Sequence, residues 1–178
     1  MLSVAICCYN SEQRLVPTLE HLSKQKVDND LKWELLIIDN ASSDNTIDLS
    51  KQTWQGLKTN VPIRIVTENK PGLSHARKKA VYEAKYPFII FCDDDNWFCD
   101  TYVQTAYEII SSSEKIGSLG GMGTPVSEVK PPIWFDTYYR SYAVGPQAKE
   151  NGAMESSKNL YGAGMVIRKD VLMRMYTK

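Results

Sequence analysis

Phe88-Ile89-Ile90-Phe91-Cys92-Asp93-Asp94-Asp95-Asn96-Trp97 decides how this chain reads. Five apolar residues run straight into three carboxylates. A short unbroken apolar run fits a strand buried on both faces, as in a parallel sheet. Open α/β sheets place ligands at the carboxyl ends of their strands, so the aspartates are expected where a ligand sits. Three adjacent carboxylates repel one another, and a hard divalent cation bound through oxygen relieves that repulsion. If side chains go on alternating, Asp93 and Asp95 share one face and Asp94 takes the other. The plain alternative is a solvated acidic loop, with Asp100 capping the next helix. The position of the triplet after an apolar strand favours the ligand site.

Working outward, similar runs recur on the N-terminal side. Ser3–Cys8, Trp33–Ile38 and Ile63–Val66 read as strands. Between them, Leu15, Leu19 and Leu22 fall at helical spacing, with Pro17 suited to a first turn, so that the firm helix is expected from near Val16. Ser42-Ser43-Asp44 offers caps for a helix from about Asn45 to Trp54. Lys70-Pro71-Gly72 is a loop signal before a helix over Leu73–Ala84, with Leu73, Ala76, Ala80 and Ala84 on one face. On the C-terminal side, a helix carries Val103, Tyr107 and Ile110, and Ile116–Met122 reads as a strand weakened by glycine. Thr124–Leu160 has little periodicity and holds Pro131-Pro132 with Trp134, Phe135, Tyr138, Tyr139 and Tyr142. So long an irregular stretch in a compact domain is usually functional or mobile. Met165–Ile167 is a last strand, and Lys169–Tyr176 begins a helix. The alternation predicts an α/β fold, a mainly parallel sheet with helices on both faces.

With 178 residues, one domain with a sizeable core is expected. Lys plus Arg and Asp plus Glu each number 21, which argues against a general electrostatic grip on nucleic acid or an anionic membrane. No apolar run approaches a membrane span, and Leu2–Cys8 is too short for a signal-peptide core. Cys7, Cys8, Cys92 and Cys99 form no Cys-x-x-Cys pair. Free thiols in a reducing compartment are expected, with the cytoplasm as the address.

Three strands end in polar residues of one kind: Tyr9-Asn10, Asp39-Asn40 and Asp93-Asp94-Asp95. In a parallel sheet these ends share an edge, and that rim suits a base edge, a ribose and a metal-bound diphosphate. Helices that start there aim N–H groups at anions. Arg77, one turn into its helix, is placed to reach a phosphate, or else lies on a solvated face with Lys78 and Lys79. Asp39 as a turn residue and Tyr9 as a core aromatic also stay open. His75 is expected to pack or cap, and His21 to lie on a helix surface.

At these residues the chain resembles the nucleotide-binding part of family 2 glycosyltransferases, which have the GT-A fold. The resemblance rests on Ser3–Asn10, Leu35–Thr46, Asn69–Arg77, Phe91–Asp95 and Gly162–Met165, five motifs in order over nearly the whole chain. It implies that Tyr9, Asn10 and Asp39 hold the nucleobase, uracil above all, since its N–H can donate to a carboxylate. It implies that Arg77 faces the ribose or diphosphate and that Asp93, with Asp94 beside it, holds the ribose. Asp95 would ligate Mn2+ or Mg2+, and Gly162, Ala163 and Gly164 would border the acceptor. Residues 1–123 would then be the nucleotide-sugar part of a single domain, 1–178, and residues 124–178 an acceptor-side part, incomplete at its C-terminus. Sugar would pass with inversion from a nucleotide-diphosphate-sugar donor to a hydroxyl of a saccharide or lipid-linked saccharide, in polysaccharide biosynthesis. The general base is expected beyond Lys178, because Asp170 is the only acid after the glycine turn. Self-association and peripheral membrane contact stay open, as does packing of the Trp134–Tyr142 aromatics on acceptor sugars or on further chain.

Three rivals remain. A phosphatase with an aspartate nucleophile also uses Asp93-x-Asp95 after a strand, but Trp97 stands where Thr or Val is expected. A dinucleotide dehydrogenase would need G-x-G-x-x-G after the first strand. A module that binds nucleotide sugar without turnover is the non-enzyme reading.

Overall fold

Strand β1 (Leu2–Cys8) is apolar on both faces and takes the middle of the sheet. It pairs in parallel with β2 (Trp33–Asp39) on one side and β4 (Phe88–Cys92) on the other. The structure, a computed structural model, describes residues 1–154 and 159–177. Strand β3 (Ile63–Thr67) adds to β2 in parallel. The remaining strands, β5 (Ser118–Leu119) and β6 (Val166–Arg168), complete the order β3-β2-β1-β4-β6-β5. Both contacts of β6 are antiparallel, so the sheet is parallel through β3, β2, β1 and β4 and mixed beyond.

Alternation of side chains divides the core into two layers. Val4, Ile6, Leu35, Ile37, Ile90 and Val166 face α1 (Leu15–Ser23), α2 (Thr46–Gly56) and α4 (Tyr102–Ser111). Ala5, Leu36, Ile38, Ile89, Phe91 and Ile167 face α3 (Leu73–Glu83) and α6 (Lys169–Tyr176). On α3 the small Ala76 and Ala80 let the helix lie close to the sheet. Leu73, expected on that buried face, is instead exposed at the helix start. Among the described residues no helix is long and apolar enough to cross a membrane.

Several sequence expectations change. The strand expected over Ile116–Met122 shrinks to two residues, Ser118–Leu119. Gly120 and Gly121 lie instead against Gln147, Leu160 and Tyr102, where an added Cβ would collide. Asp100 does not cap α4; its carboxylate pairs with Lys26 at 2.5 Å, and Thr101 occupies the cap position. The irregular segment holds one short helix, α5 (Phe135–Tyr138), and a 3-10 turn over Tyr139–Tyr142. Its residues 155–158 lie outside the described residues, as does Lys178.

A carboxylate is buried near the start of β2. Glu34 on β2 is 1% exposed. Its Oε1 accepts from the Ser3 hydroxyl and from the Lys85 amide, both at 2.8 Å, and Arg64 lies 3.3 Å from Oε2. Burying a carboxylate is costly unless its oxygens are bonded in this way. Replacing it strands those donors. Glu34→Ala should lower stability in urea unfolding by roughly 1–3 kcal/mol, chiefly through the Ser3 hydroxyl and Lys85 amide, because Arg64 can turn to water. Glu34→Gln, which keeps an acceptor oxygen, should cost less. Equal stability of all three proteins would show that the network carries no energy.

Candidate functional site at the carboxyl ends of β1, β2 and β4

Parallel register brings the three expected strand ends together. Cys8 lies opposite Asp39, and Cys92 lies opposite Ile6, so Asp93 follows level with the end of β1. Beyond Cys8 the chain turns through Asn10, which has φ 49°. Tyr9 is 59% exposed and so is no core aromatic. It lines a cavity of about 360 Å³ with Cys7, Cys8, Asn40, Pro71, Gly72 and Leu73. Burial pushes the Cys7 thiol up to about 12, and Cys8 higher still, so both stay protonated as apolar lining.

Asp39 lies between two residues of that cavity wall, Cys8 across the strand and Asn40 next in sequence. It is 2% exposed, and its Oδ1 is buried with no hydrogen-bond partner among the described residues. An unpaired buried oxygen of this kind is uncommon and costly. Asn40 does the opposite and uses both ends of its amide. Its Nδ2 donates to the carbonyls of Glu68 and Lys70, at 3.0 and 2.7 Å, and its Oδ1 accepts from the Gly72 amide at 2.7 Å. Asn40 therefore fixes the loop that walls the cavity, a role its place after Asp39 did not disclose. His75 packs against Gly72 at the start of α3.

The aspartates divide by contact. Asp93 faces Arg77, with Oδ1 3.6 Å from Nη2. Burial raises the Asp93 carboxyl, Arg77 opposes the rise, and Asp95 and Asp94 add to it. Asp94 points the other way from a turn, since β4 ends at Cys92 and strand alternation does not continue into the triplet. Its Oδ2 accepts from Ser11 Oγ and from Arg14 Nη2, the latter at 2.8 Å. Asp95 is exposed. Among the described residues no three His, Cys, Asp or Glu side chains converge as a metal cage. The triplet thus fits only a cation that keeps water and takes further oxygens from ligand phosphates, as Mg2+ commonly does.

Two expected nucleotide contacts also have protein partners. Asp94 is held by Ser11 and Arg14. The Asn10 Oδ1 accepts from the Ser43 amide at 2.8 Å, which ties the β1 loop to the β2 loop. Asp170 is placed away from the rim. Its neighbour Arg168 pairs with Phe88 at the start of β4, Asp170 lines a separate groove with Pro87 and Met173, and its carboxylate pairs with Arg174 at 2.5 Å.

The glycine turn meets this site from the other side. A Cβ on Gly162 would lie 2.5 Å from Arg77 Nη2. Gly164 has φ +74°, and its carbonyl accepts from the Tyr102 hydroxyl at 2.5 Å. Arg77 also lies over the Phe91 ring at 5.4 Å. The glycines therefore let the turn approach Arg77 and Tyr102 closely. The aromatic residues Trp134, Tyr138 and Tyr142 stand about half exposed, with Trp134 and Tyr142 stacked at 6.2 Å.

A family model described as Glycosyl transferase family 2 matches residues 3–175. The chain is 28% identical over 109 residues to the putative glycosyltransferase EpsH of Bacillus subtilis, covering 59% of this chain and 30% of that protein. Staphylococcus aureus TarS 1–349 in complex with UDP superposes with TM-score 0.74 at 18% identity, over 98% of this chain and 48% of that one. A Pyrobaculum calidifontis mannosyltransferase in complex with GDP-Man and Mn2+ superposes with TM-score 0.73 at 18% identity, over 98% of this chain and 46% of that one. The chain thus spans less than a third of EpsH and about half of each of these solved chains. The fold is the GT-A type.

The two glycines of the turn should respond differently to substitution. Gly164→Ala places a side chain at positive φ against Tyr102 and should cost about 1–3 kcal/mol. Gly162→Ala meets only the movable end of Arg77, at ordinary φ, and should stay within about 1 kcal/mol of wild type. Urea unfolding of both variants checks this; equal losses would mean that the Arg77 contact is as rigid as the Tyr102 contact.

Proposed function

We propose that this chain, which belongs to glycosyl transferase family 2, binds a nucleotide-diphosphate sugar at the carboxyl ends of β1, β2 and β4, uridine by preference, for transfer to an acceptor hydroxyl. The observation that carries the reading is the buried, unpartnered Asp39 Oδ1 beside the cavity walled by Tyr9 and Asn40. Uracil offers one imino N–H that such an oxygen can accept. Guanine offers an imino N–H and an amine side by side, which asks for two acceptors. The bound UDP of the TarS structure supports this choice, while the GDP-Man of the mannosyltransferase marks the alternative.

The base would lie against Tyr9, and the ribose near Asp93. Arg77, steadied by Asp93 and by the Phe91 ring, would offer its guanidinium to the diphosphate. Asp95 is the carboxylate of the triplet left to hold Mn2+ or Mg2+ together with diphosphate oxygens. When bound, the cation neutralises charge gathering on the leaving group. In the transfer, the acceptor oxygen bonds to the anomeric carbon as the bond to the diphosphate oxygen breaks. The hydroxyl proton passes to a general base, and a single displacement inverts the carbon. Gly162, Ala163 and Gly164 would border the acceptor, a saccharide or lipid-linked saccharide. In this reading residues 1–123 serve the donor and 124–178 the acceptor side.

Calorimetry with UDP and GDP, in Mn2+ and in chelator, tests the assignment. UDP should bind more tightly than GDP, and binding should weaken in chelator. Asp95→Ala should abolish the gain from Mn2+. Equal affinity with and without metal would remove the cation from the site. Asp39→Ala should weaken UDP by roughly 1–3 kcal/mol, the cost of losing a partner for a buried polar group. Unchanged UDP affinity in that variant would reduce Asp39 to a turn residue.

A further inference from the structure

Ser11, Arg14, Thr18, His21 and Gln25 recur at alternating intervals of three and four through α1 and the residues flanking it, and each of them bonds to the segment that follows β4. Ser11 Oγ and Arg14 Nη2 both donate to Asp94 Oδ2. Thr18 Oγ1 donates to the Asp94 carbonyl at 2.9 Å. His21 Nδ1 lies 3.1 Å from the Phe98 carbonyl, and since a carbonyl only accepts, this nitrogen carries the proton. The His21 ring also stacks on Trp97, with centroids 5.7 Å apart. Gln25 Nε2 donates to the Cys99 carbonyl at 2.7 Å, and its Oε1 accepts from the Val103 amide at 3.0 Å. The acidic segment is therefore clamped along α1 from Asp94 to the start of α4.

The clamp is strongest at the middle aspartate. Three neighbouring carboxylates on a free turn would swing apart to lower their repulsion. Here one of them is drawn to the α1 side of the sheet by a cation and a hydroxyl. The turn is then fixed while Asp95 stays exposed. We propose that Ser11 and Arg14 are positioning residues, which by holding Asp94 set the direction in which Asp95 presents its carboxylate to a divalent cation. This rests on the nucleotide-diphosphate reading above. Both side chains are engaged with Asp94 itself. Their effect lies in preorganisation, which matters because a ligand oxygen displaced by even an ångström binds poorly.

The test compares wild type with Arg14→Gln, Ser11→Ala and Asp94→Asn. The first readout needs neither nucleotide nor metal. In protein labelled with 5-fluorotryptophan, with Trp97 assigned through Trp97→Phe, the Trp97 fluorine resonance should shift or broaden in each variant. The Trp33 and Trp54 resonances should stay in place, which excludes general unfolding. The second readout is the ratio of UDP affinities in Mn2+ and in chelator. Each variant should lower that ratio at least about tenfold, and Arg14→Gln should keep affinity in chelator within about twofold. An unmoved Trp97 resonance, an undiminished ratio, or equal losses in both conditions would each overturn the proposal. If wild type binds no nucleotide, the reading of the site fails instead, and Mn2+ alone, titrated by electron paramagnetic resonance, replaces the second readout. Wild-type Mn2+ affinity retained by the variants would then overturn the clamp.

Discussion

The Ser11 hydroxyl and amide join three loops that the sheet alone only brings near. Ser11 is fully buried. Its amide donates to Thr46 Oγ1 at 2.8 Å, and Thr46 Oγ1 donates to Asp44 Oδ1 at 2.5 Å, at the start of α2. Its Oγ accepts from the Tyr9 amide at 3.1 Å and donates to Asp94. The loops after β1, β2 and β4 are thereby one hydrogen-bonded unit. In a site that water can enter, this link decides whether the strand-end residues keep a fixed geometry, because every bond made within the unit is one fewer that solvent can exchange.

Around that unit the charges are set against one another. Arg14 answers Asp94 on the α1 side, and Arg77 answers Asp93 on the α3 side. Asp95, exposed between them, keeps its charge available. The cost of gathering three carboxylates is thus met on two sides by guanidinium groups, and the remaining negative field is aimed outward. Gly162 belongs to this balance, since any larger residue would crowd the Arg77 guanidinium. At one atom, Asp39 Oδ1, no partner is found among the described residues, an exception in an otherwise well-bonded rim.

The rim was legible in the sequence because each half of it is local. An apolar run that ends in Asp or Asn gives a strand and its terminal residues together, and parallel pairing puts such ends on one edge. The division between Asp93 and Asp94 was not set by alternation, because the strand ends at Cys92 and Asp94 sits in a turn. The clamp was less visible, although its signal was present: Ser11, Arg14, Thr18, His21 and Gln25 recur at helical spacing in and beside α1, interleaved with Leu15, Leu19 and Leu22. His21 reads as an ordinary surface residue until Trp97 is found stacked on it. Asp100 has the right type and place for a cap, yet Lys26 competes for its carboxylate from another element.

The sequence by itself determined the α/β class, the parallel heart of the sheet and the residues at its strand ends, because periodicity and strand polarity are set within a few residues. Only the tertiary structure decided that β6 enters between β4 and β5 in the antiparallel sense, for that depends on the Gly162–Gly164 turn folding back onto Arg77 and Tyr102. Only it decided which of the polar side chains at the strand ends find partners within the protein. Asn10, Asp94 and Asp39 are alike as short polar residues at strand ends. Two of them find donors from loops some thirty or eighty residues away in the chain, and one buried oxygen finds none. Hydrogen-bond partners at that separation are chosen by packing, which no local pattern encodes.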